Sequence, residues 1–341
     1  MLTNEAIVNS LSRLVPESVR NAGWMQPRYP LVGVELRDDA VIAISMQRKG
    51  GKLQLAGHAR RTLTPGVLQS GLMKLAVPDP RGLMRAVQDA LRMAGAESTH
   101  KLSVAIPDTV ARVFLVDLQE LPPSHQQAAE LIRLRLKKSV PFRLEDTRMS
   151  WQVLGRMEDG RLQILVCLAP ESALRPVETV FAAAGLRAGL VDIASFDLFN
   201  ALRAAKQLLP GERGDAAIIN ATPSYFSFMI LRNERLVFYR SKNYHVQGGF
   251  QGEESLRVVG RELRTSLSYY NEHLLGEGIS LTVLRVSGLD PAAVAAVAHQ
   301  AGCGTTVAAT LGDTIPGFSA VDSELAPDLL PAMGLVLRRD A

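Results

Sequence analysis

Two strand–turn–strand runs constrain this chain more than any other feature. Residues 32–36 and 41–46 read as a hairpin across the turn at Arg37, Asp38 and Asp39. Residues 216–220 read as a strand that turns through 221–224, returns as 225–231 and is followed by a third strand at 236–240. A third strand is also expected after the first hairpin, at 52–59. Behind each opening, strands alternate with helices, which argues for an α/β protein, and the repeated opening hints at a duplicated one.

Local signals place the helices. Asp79 precedes Pro80, a stripe of Leu83, Val87, Leu91 and Ala94 follows, and Gly95 ends it. A second helix begins after Pro122-Pro123, where Ser124 and Gln127 have capping-box spacing. Its apolar face is Ala128, Leu131, Ile132 and Leu136, and Val140-Pro141-Phe142 stops it. Further helices are expected at 171–184, 254–275, 291–301 and 332–337, with strands at 102–106, 111–118, 149–154, 162–168, 190–193 and 281–286. Residues 1–30 form an appendage in which Ala6, Ile7, Leu11, Leu14 and Val15 recur at helical spacing. That segment fits either a docking helix or a cap on its own domain.

Several classes are excluded by content. With 47% apolar and 21% charged residues in 341, the chain buries real cores and is not disordered. A formal charge of +4 with 5% aromatics lacks the basic, ring-bearing stripe of a nucleic-acid binder. Cys167 and Cys303 cannot make a disulfide framework, and the six histidines are scattered without metal-ligand spacing. No run approaches the ~20 apolar residues that span a bilayer, and no export signal opens the chain.

The order of motifs resembles the PilM family, the actin-like component of type IV pilus assembly. Ser103-Val104-Ala105-Ile106-Pro107 resembles its strand-then-Pro segment. Leu121-Pro122 through Ile132-Arg133 to Val140-Pro141-Phe142 resembles its "LP…PF" block, and Trp151-Gln152-Val153-Leu154-Gly155 its "YQVLG". Ala169-Pro170, Ala184-Gly185-Leu186 and Val191-Asp192 follow in register. The run from Glu262 to Tyr270 resembles its "EIxRSLxFY" helix.

The resemblance implies an α/β, actin-like (ribonuclease H-like, duplicated) two-domain fold with an extra subdomain of the FtsA/PilM type. Residues 31–99 and 169–200 would form the first domain core together with a C-terminal helix at 326–341. Residues 100–168 would be the extra subdomain and 201–325 the second domain. It also implies a partner, the cytosolic tail of a PilN-like inner-membrane protein, held beside the extra subdomain, where Pro141 and Phe142 are candidates. Other pilus platform proteins would lie nearby.

The phosphate loops depart from the family pattern. Against its "DIGSSSIK", Glu35 stands for the acid, Arg37 for the glycine, Asp38 and Asp39 for hydroxyl residues and Ile42 for the lysine. Glycine lets backbone N–H groups approach a phosphate closely. A carboxylate about 5 Å from a phosphate charge costs on the order of 3 kcal/mol at an effective dielectric near 20. The same residues also read as an acidic turn in water. Against "DIGASST", the second loop has Asn220 for the metal-holding acid, Thr222 for the glycine, Pro223, which lacks a donor, and Ser224. The glycine run near the adenosine survives only at Gly288. Too few residues separate Gly249 from Glu262 for the family's helical subdomain, so that subdomain is expected to be shortened.

These departures point to an adaptor with a degenerate nucleotide site, without cofactor or metal, ATP and Mg2+ entering only if the loops still bind. Its expected location is cytoplasmic, at the inner face of the inner membrane, held there through its partner. A working ATPase of the same assembly and an FtsA-like division tether are the alternatives. The Gly-rich run at 247–252 lacks the Gly-Lys-Ser/Thr of a P-loop. The cations Arg133, Arg135, Lys137, Lys138 and Arg143 fit either a solvated face or contact with anionic lipid or an acidic partner.

Overall fold

The structure is a computed structural model and describes residues 29–208, 214–244, 252–274 and 276–338. The amphipathic stripe at Ala6–Val15 and residues 247–251 of the Gly-rich run lie outside the described residues.

Strands β1 (Val32–Leu36), β2 (Ala40–Lys49) and β3 (Lys52–Thr62) form an antiparallel meander. A small hairpin, β4 (Gln69–Gly71) and β5 (Lys74–Ala76), leads to helix α1 (Pro80–Met93) and strand β6 (Lys101–Ile106). An inserted unit follows: β7 (Arg112–Leu118), α2 (His125–Leu136), β8 (Thr147–Arg156) and β9 (Leu162–Pro170). The chain returns through α3 (Glu171–Ala183), β10 (Arg187–Ile193) and α4 (Ala194–Ala204). The later part contains β11 (Asp215–Ala221), β12 (Tyr225–Arg232), β13 (Arg235–Asn243), α5 (Gly252–His273), β14 (Ile279–Val286), α6 (Pro291–Ala301), β15 (Thr305–Ala308) and α7 (Ala326–Leu337).

The duplication is explicit in the sheets. One has the order β3-β2-β1-β6-β10 and the other β13-β12-β11-β14-β15, each with three antiparallel strands followed by two parallel ones. Helices α1 and α3 cover the outer face of the first sheet, and α5 and α6 that of the second. Between the sheets lies one shared core. Ile42 and Ile44 of β2, Ile218 of β11 and Val283 of β14 pack there against Leu198 and Leu202 of α4 and Leu330 and Met333 of α7. The result is a five-layered stack, helix–sheet–helix–sheet–helix. The inserted sheet, β7-β9-β8, has its own core with Ile132 and Leu136 of α2.

Capping at α1 follows the sequence expectation: Asp79 Oδ1 accepts from Gly82 N at 2.9 Å. At α2 it does not. Ser124 holds the cap position, but its hydroxyl makes no cap hydrogen bond, so the helix rests on packing instead. α7 begins at Ala326, where the resemblance placed a C-terminal helix and six residues before the apolar run read at 332–337, and is buried from Asp328 to Leu337. Among the described helices, none is long and apolar enough to cross a membrane.

The central layer depends on two close approaches. A Cβ on Gly334 of α7 would lie 1.7 Å from the backbone oxygen of Asp197 in α4, and one on Gly33 of β1 would lie 2.3 Å from that of Ala332. Both obstacles are backbone, so relief requires the helix to move. Gly334→Ala is therefore expected to cost on the order of 3 kcal/mol and lower the thermal midpoint by several degrees. Gly252→Ala, which meets no atom within 4 Å, stays within about 0.5 kcal/mol. Equal midpoints for the two variants would disprove the close-packing account.

Candidate functional site

The two sheets present their matching strands β1 and β11 to one another across the cleft. Glu35 on β1 stands beside Ala105 of β6, and Asn220 on β11 stands beside Arg285 of β14. Arg285 is wholly buried and spans the gap. Its Nη2 donates to Glu35 Oε2 at 2.9 Å, its Nη1 to Asn220 Oδ1 at 3.0 Å and its Nε to the Pro327 carbonyl at 3.1 Å. One guanidinium thereby joins both sheets and the start of α7. The corresponding place on β6 is Ala105, so the duplicated halves differ at this point.

Arg37, in the glycine position of the first loop, is also fully buried. It donates to both oxygens of Asp39, at 2.9 and 2.6 Å, and to Asp328 Oδ1 at 2.8 Å. Arg60 of β3 closes the arrangement, reaching Asp39 Oδ2 and Asp328 Oδ2, each at 2.9 Å. Three guanidiniums thus face three carboxylates: Glu35, Asp39 and Asp328. Asp38 turns the other way and accepts from the backbone N and hydroxyl of Ser70, at 2.9 and 3.0 Å. The expectation of an acidic turn in water therefore fails: Arg37 folds back into the turn, Asp38 and Asp39 are half-buried, and both find donors within the protein.

The titration behaviour follows from these contacts. Burial raises Glu35 from its ordinary value near 4.5 to about 7, against the pull of Arg285 and Arg37. Its Oε1 has no donor, which explains why burial dominates. Burial also opposes ionisation of Asp328, but Arg37 and Arg285 overcome it and hold the group at about 2. For Asp39, burial is outweighed by the hydrogen bond from Arg37, so its value falls.

Behind Asn220 lies a second polar group. Its Nδ2 donates to Ser195 Oγ at 3.0 Å, and Ser195, in the first turn of α4, bonds to the buried Asp108 through both its hydroxyl and its backbone N. Thr222 is consumed by its own turn: its N donates to Tyr225 O at 2.9 Å, and its hydroxyl accepts from Tyr225 N at 3.1 Å. Gly288 adopts φ +66° and faces Pro223, whose Cγ would lie 2.6 Å from an added Cβ. The turn at Gly288 is thus stacked on the turn at Pro223. Ser224 lines an open cleft of about 400 Å3 shared with Asp38, Asp39, Arg60, Pro223 and Tyr244.

The other predicted residues belong to the inserted unit. Pro141 is exposed, and Phe142 is half-buried against its core. Arg133, Arg135, Lys137 and Lys138 are all exposed at the end of α2. Arg143 does not join them; its guanidinium faces Asp146 at 3.7 Å and Glu145 at 4.0 Å. Among the described residues, no group of three or more His, Cys, Asp or Glu side chains could hold a metal ion.

The family model for the type IV pilus assembly protein PilM matches residues 33–258. The chain belongs to the PilM family. Of solved structures, the PilM-PilN type IV pilus biogenesis complex is similar with a TM-score of 0.74 at 17% identity, covering 92% of this chain and 99% of that one. A Bacteroides thetaiotaomicron protein of actin-like ATPase fold and unknown function has a TM-score of 0.50 at 10% identity, covering 90% of this chain and 95% of that one. No curated protein matches by sequence. The fold of this PilM-family chain is accordingly the actin-like one that its motif order implied.

Sequence reasoning missed Arg285, Asp328, Asp108 and Ser195. A signal existed for the first: Arg285 is a lone charge inside the apolar run of β14, which in a central parallel strand implies a buried partner.

Because Glu35 binds its proton more tightly folded than unfolded, its contribution to stability is present below about pH 4.5 and is lost as pH rises through 7. Asp328 acts oppositely, its contribution being lost as pH falls toward 2. Glu35→Gln should therefore gain stability relative to the native chain by on the order of 3 kcal/mol between pH 4.5 and 7.5. Urea unfolding at the two pH values measures it, and a constant difference would refute the raised Glu35. Arg285→Ala should cost about 3–5 kcal/mol by stranding Glu35.

Proposed function

We propose that this PilM-family protein is an adaptor of a type IV pilus or related secretion platform. It holds the cytosolic tail of a PilN-like membrane protein at the inner face of the inner membrane and works without hydrolysing ATP. The likeness to a PilM-PilN complex over nearly the whole chain supports the partner. The inserted unit, with Pro141 and Phe142, is the docking region in this reading.

The observation that carries the nucleotide-free part is Arg285 between Glu35 and Asn220. The residues present do not fit a nucleotide and its metal. A guanidinium sits between the two positions where the fold family carries its metal-holding acids. Arg37 fills the first loop instead of clearing it for phosphate, and Gly288 lies against Pro223 instead of facing a base. The loop from β13 to α5 is limited to residues 244–251, which leaves no room for a helical roof over the cleft.

Two measurements test the parts separately. A synthetic tail of the PilN-like protein should co-purify with the chain, and failure to do so would remove the adaptor reading. Millimolar Mg-ATP should leave the thermal midpoint unchanged. A ligand at 100 times its dissociation constant adds about 2.7 kcal/mol, so a rise of several degrees would show that the cleft still binds nucleotide.

A further inference from the structure

Some exposed arginines of this protein have a carboxylate beside them: Arg148 bonds to Glu171 and Glu178, Arg92 to Asp89 and Arg257 to Glu253. The end of α2 gathers four exposed cations that do not. Among the described residues, none of Arg133, Arg135, Lys137 and Lys138 has a salt-bridge partner, although all four are exposed. Glu130, a turn earlier on α2, accepts from Gln126 at 3.3 Å. Apart from these four, the chain is formally neutral: the remaining 34 Lys and Arg match its 34 Asp and Glu.

Leu134 stands among the cations and is 69% exposed. It lies two positions from each of the buried residues Ile132 and Leu136, so helix geometry directs it away from the core. Lys137 and Lys138, three and four residues on, flank it on the outer face. The attraction of cations to a helix C-terminus accounts for part of the charge. It does not account for an apolar side chain at the centre of the charged face.

We propose that the end of α2 is a docking surface for an anionic lipid bilayer, with Leu134 entering the headgroup region and Arg133, Arg135, Lys137 and Lys138 meeting lipid phosphates. The surface fits a bilayer better than an acidic peptide. It is a helix crest and not a groove, and its cations are unconstrained by hydrogen bonds, as suits diffuse charge. An apolar tip ringed by long cationic stems is the arrangement that partitions into a lipid–water boundary. This surface acts independently of the partner tail and survives if the tail proves not to bind.

Co-sedimentation of the full chain with large vesicles tests it. Vesicles of phosphatidylcholine with about a third phosphatidylglycerol should bind the protein at low salt and release it in about 1 M NaCl, where the Debye length falls to about 3 Å. Pure phosphatidylcholine vesicles should bind little. Changing all four cations to Gln should lower binding several hundredfold, at about fivefold for each charge. Leu134→Ser should lower it further than any single charge change, while Arg143→Gln, at a cation already faced by carboxylates, should leave it unchanged. Unaltered thermal midpoints would establish that the variants fold. Equal binding to neutral and anionic vesicles, or wild-type binding by the four-Gln variant, would overturn the proposal. Capture by a polyglutamate peptide without vesicle binding would overturn it in favour of an acidic protein partner.

Discussion

The structure turns on one buried guanidinium. Arg285 touches Glu35 in one sheet, Asn220 in the other and the chain at Pro327, where α7 begins. The apolar layer between the sheets is non-directional; leucines of α4 and α7 would tolerate small rotations of one half against the other. Hydrogen bonds to a planar, fully desolvated fork are not so tolerant. Burial of an ion pair gives little net stability, because desolvation consumes most of the Coulomb gain. Its physical effect here is to set the relative angle of the halves, with Arg37, Arg60, Asp39 and Asp328 extending the same fixation to the mouth of the cleft.

That arrangement explains why substitutions that look independent in the sequence belong together. A glycine-to-arginine change at position 37 would be ruinous in a phosphate loop, yet Arg37 is needed once Asp39 and Asp328 are buried beside it. Asn220 gives Arg285 a neutral acceptor beside the carboxyl groups of Glu35 and Asp328. The simple repulsion argument for Asp38 and Asp39 is therefore incomplete: both carboxylates have donors within the protein, so their charge and hydrogen-bonding capacity are already engaged.

What could be read from the sequence was what local chemistry determines. The Asp79 cap and the two hairpins that open the duplicated halves rest on neighbours in the chain and appeared where expected. Helix α4 was missed for the opposite reason. It follows β10 directly, with Ile193 at its cap position and no side-chain cap, and one of its open N–H groups is satisfied by Asp108, 87 positions earlier. No local punctuation marks such a start. The capping box at Ser124 failed the other way, present in sequence but unused because packing alone holds α2. The cleft was half legible: Glu35 and Asn220 stood out by their loops, while Arg285 and Asp328 acquire meaning only when residues 250 and 43 positions apart meet.

The distribution of charge separates two kinds of cation in this protein. Those in the cleft are paired with carboxylates, Arg37 and Arg285 fully buried and Arg60 partly exposed, so their field is largely cancelled close by. Those at the end of α2 are wet and uncompensated, and their field extends about 10 Å at 0.1 M ionic strength. Four unpaired positive charges on one helix end favour approach of that end to an extended negative surface. In the adaptor reading proposed for this chain, orientation would replace a chemical cycle as the contribution of the actin-like scaffold.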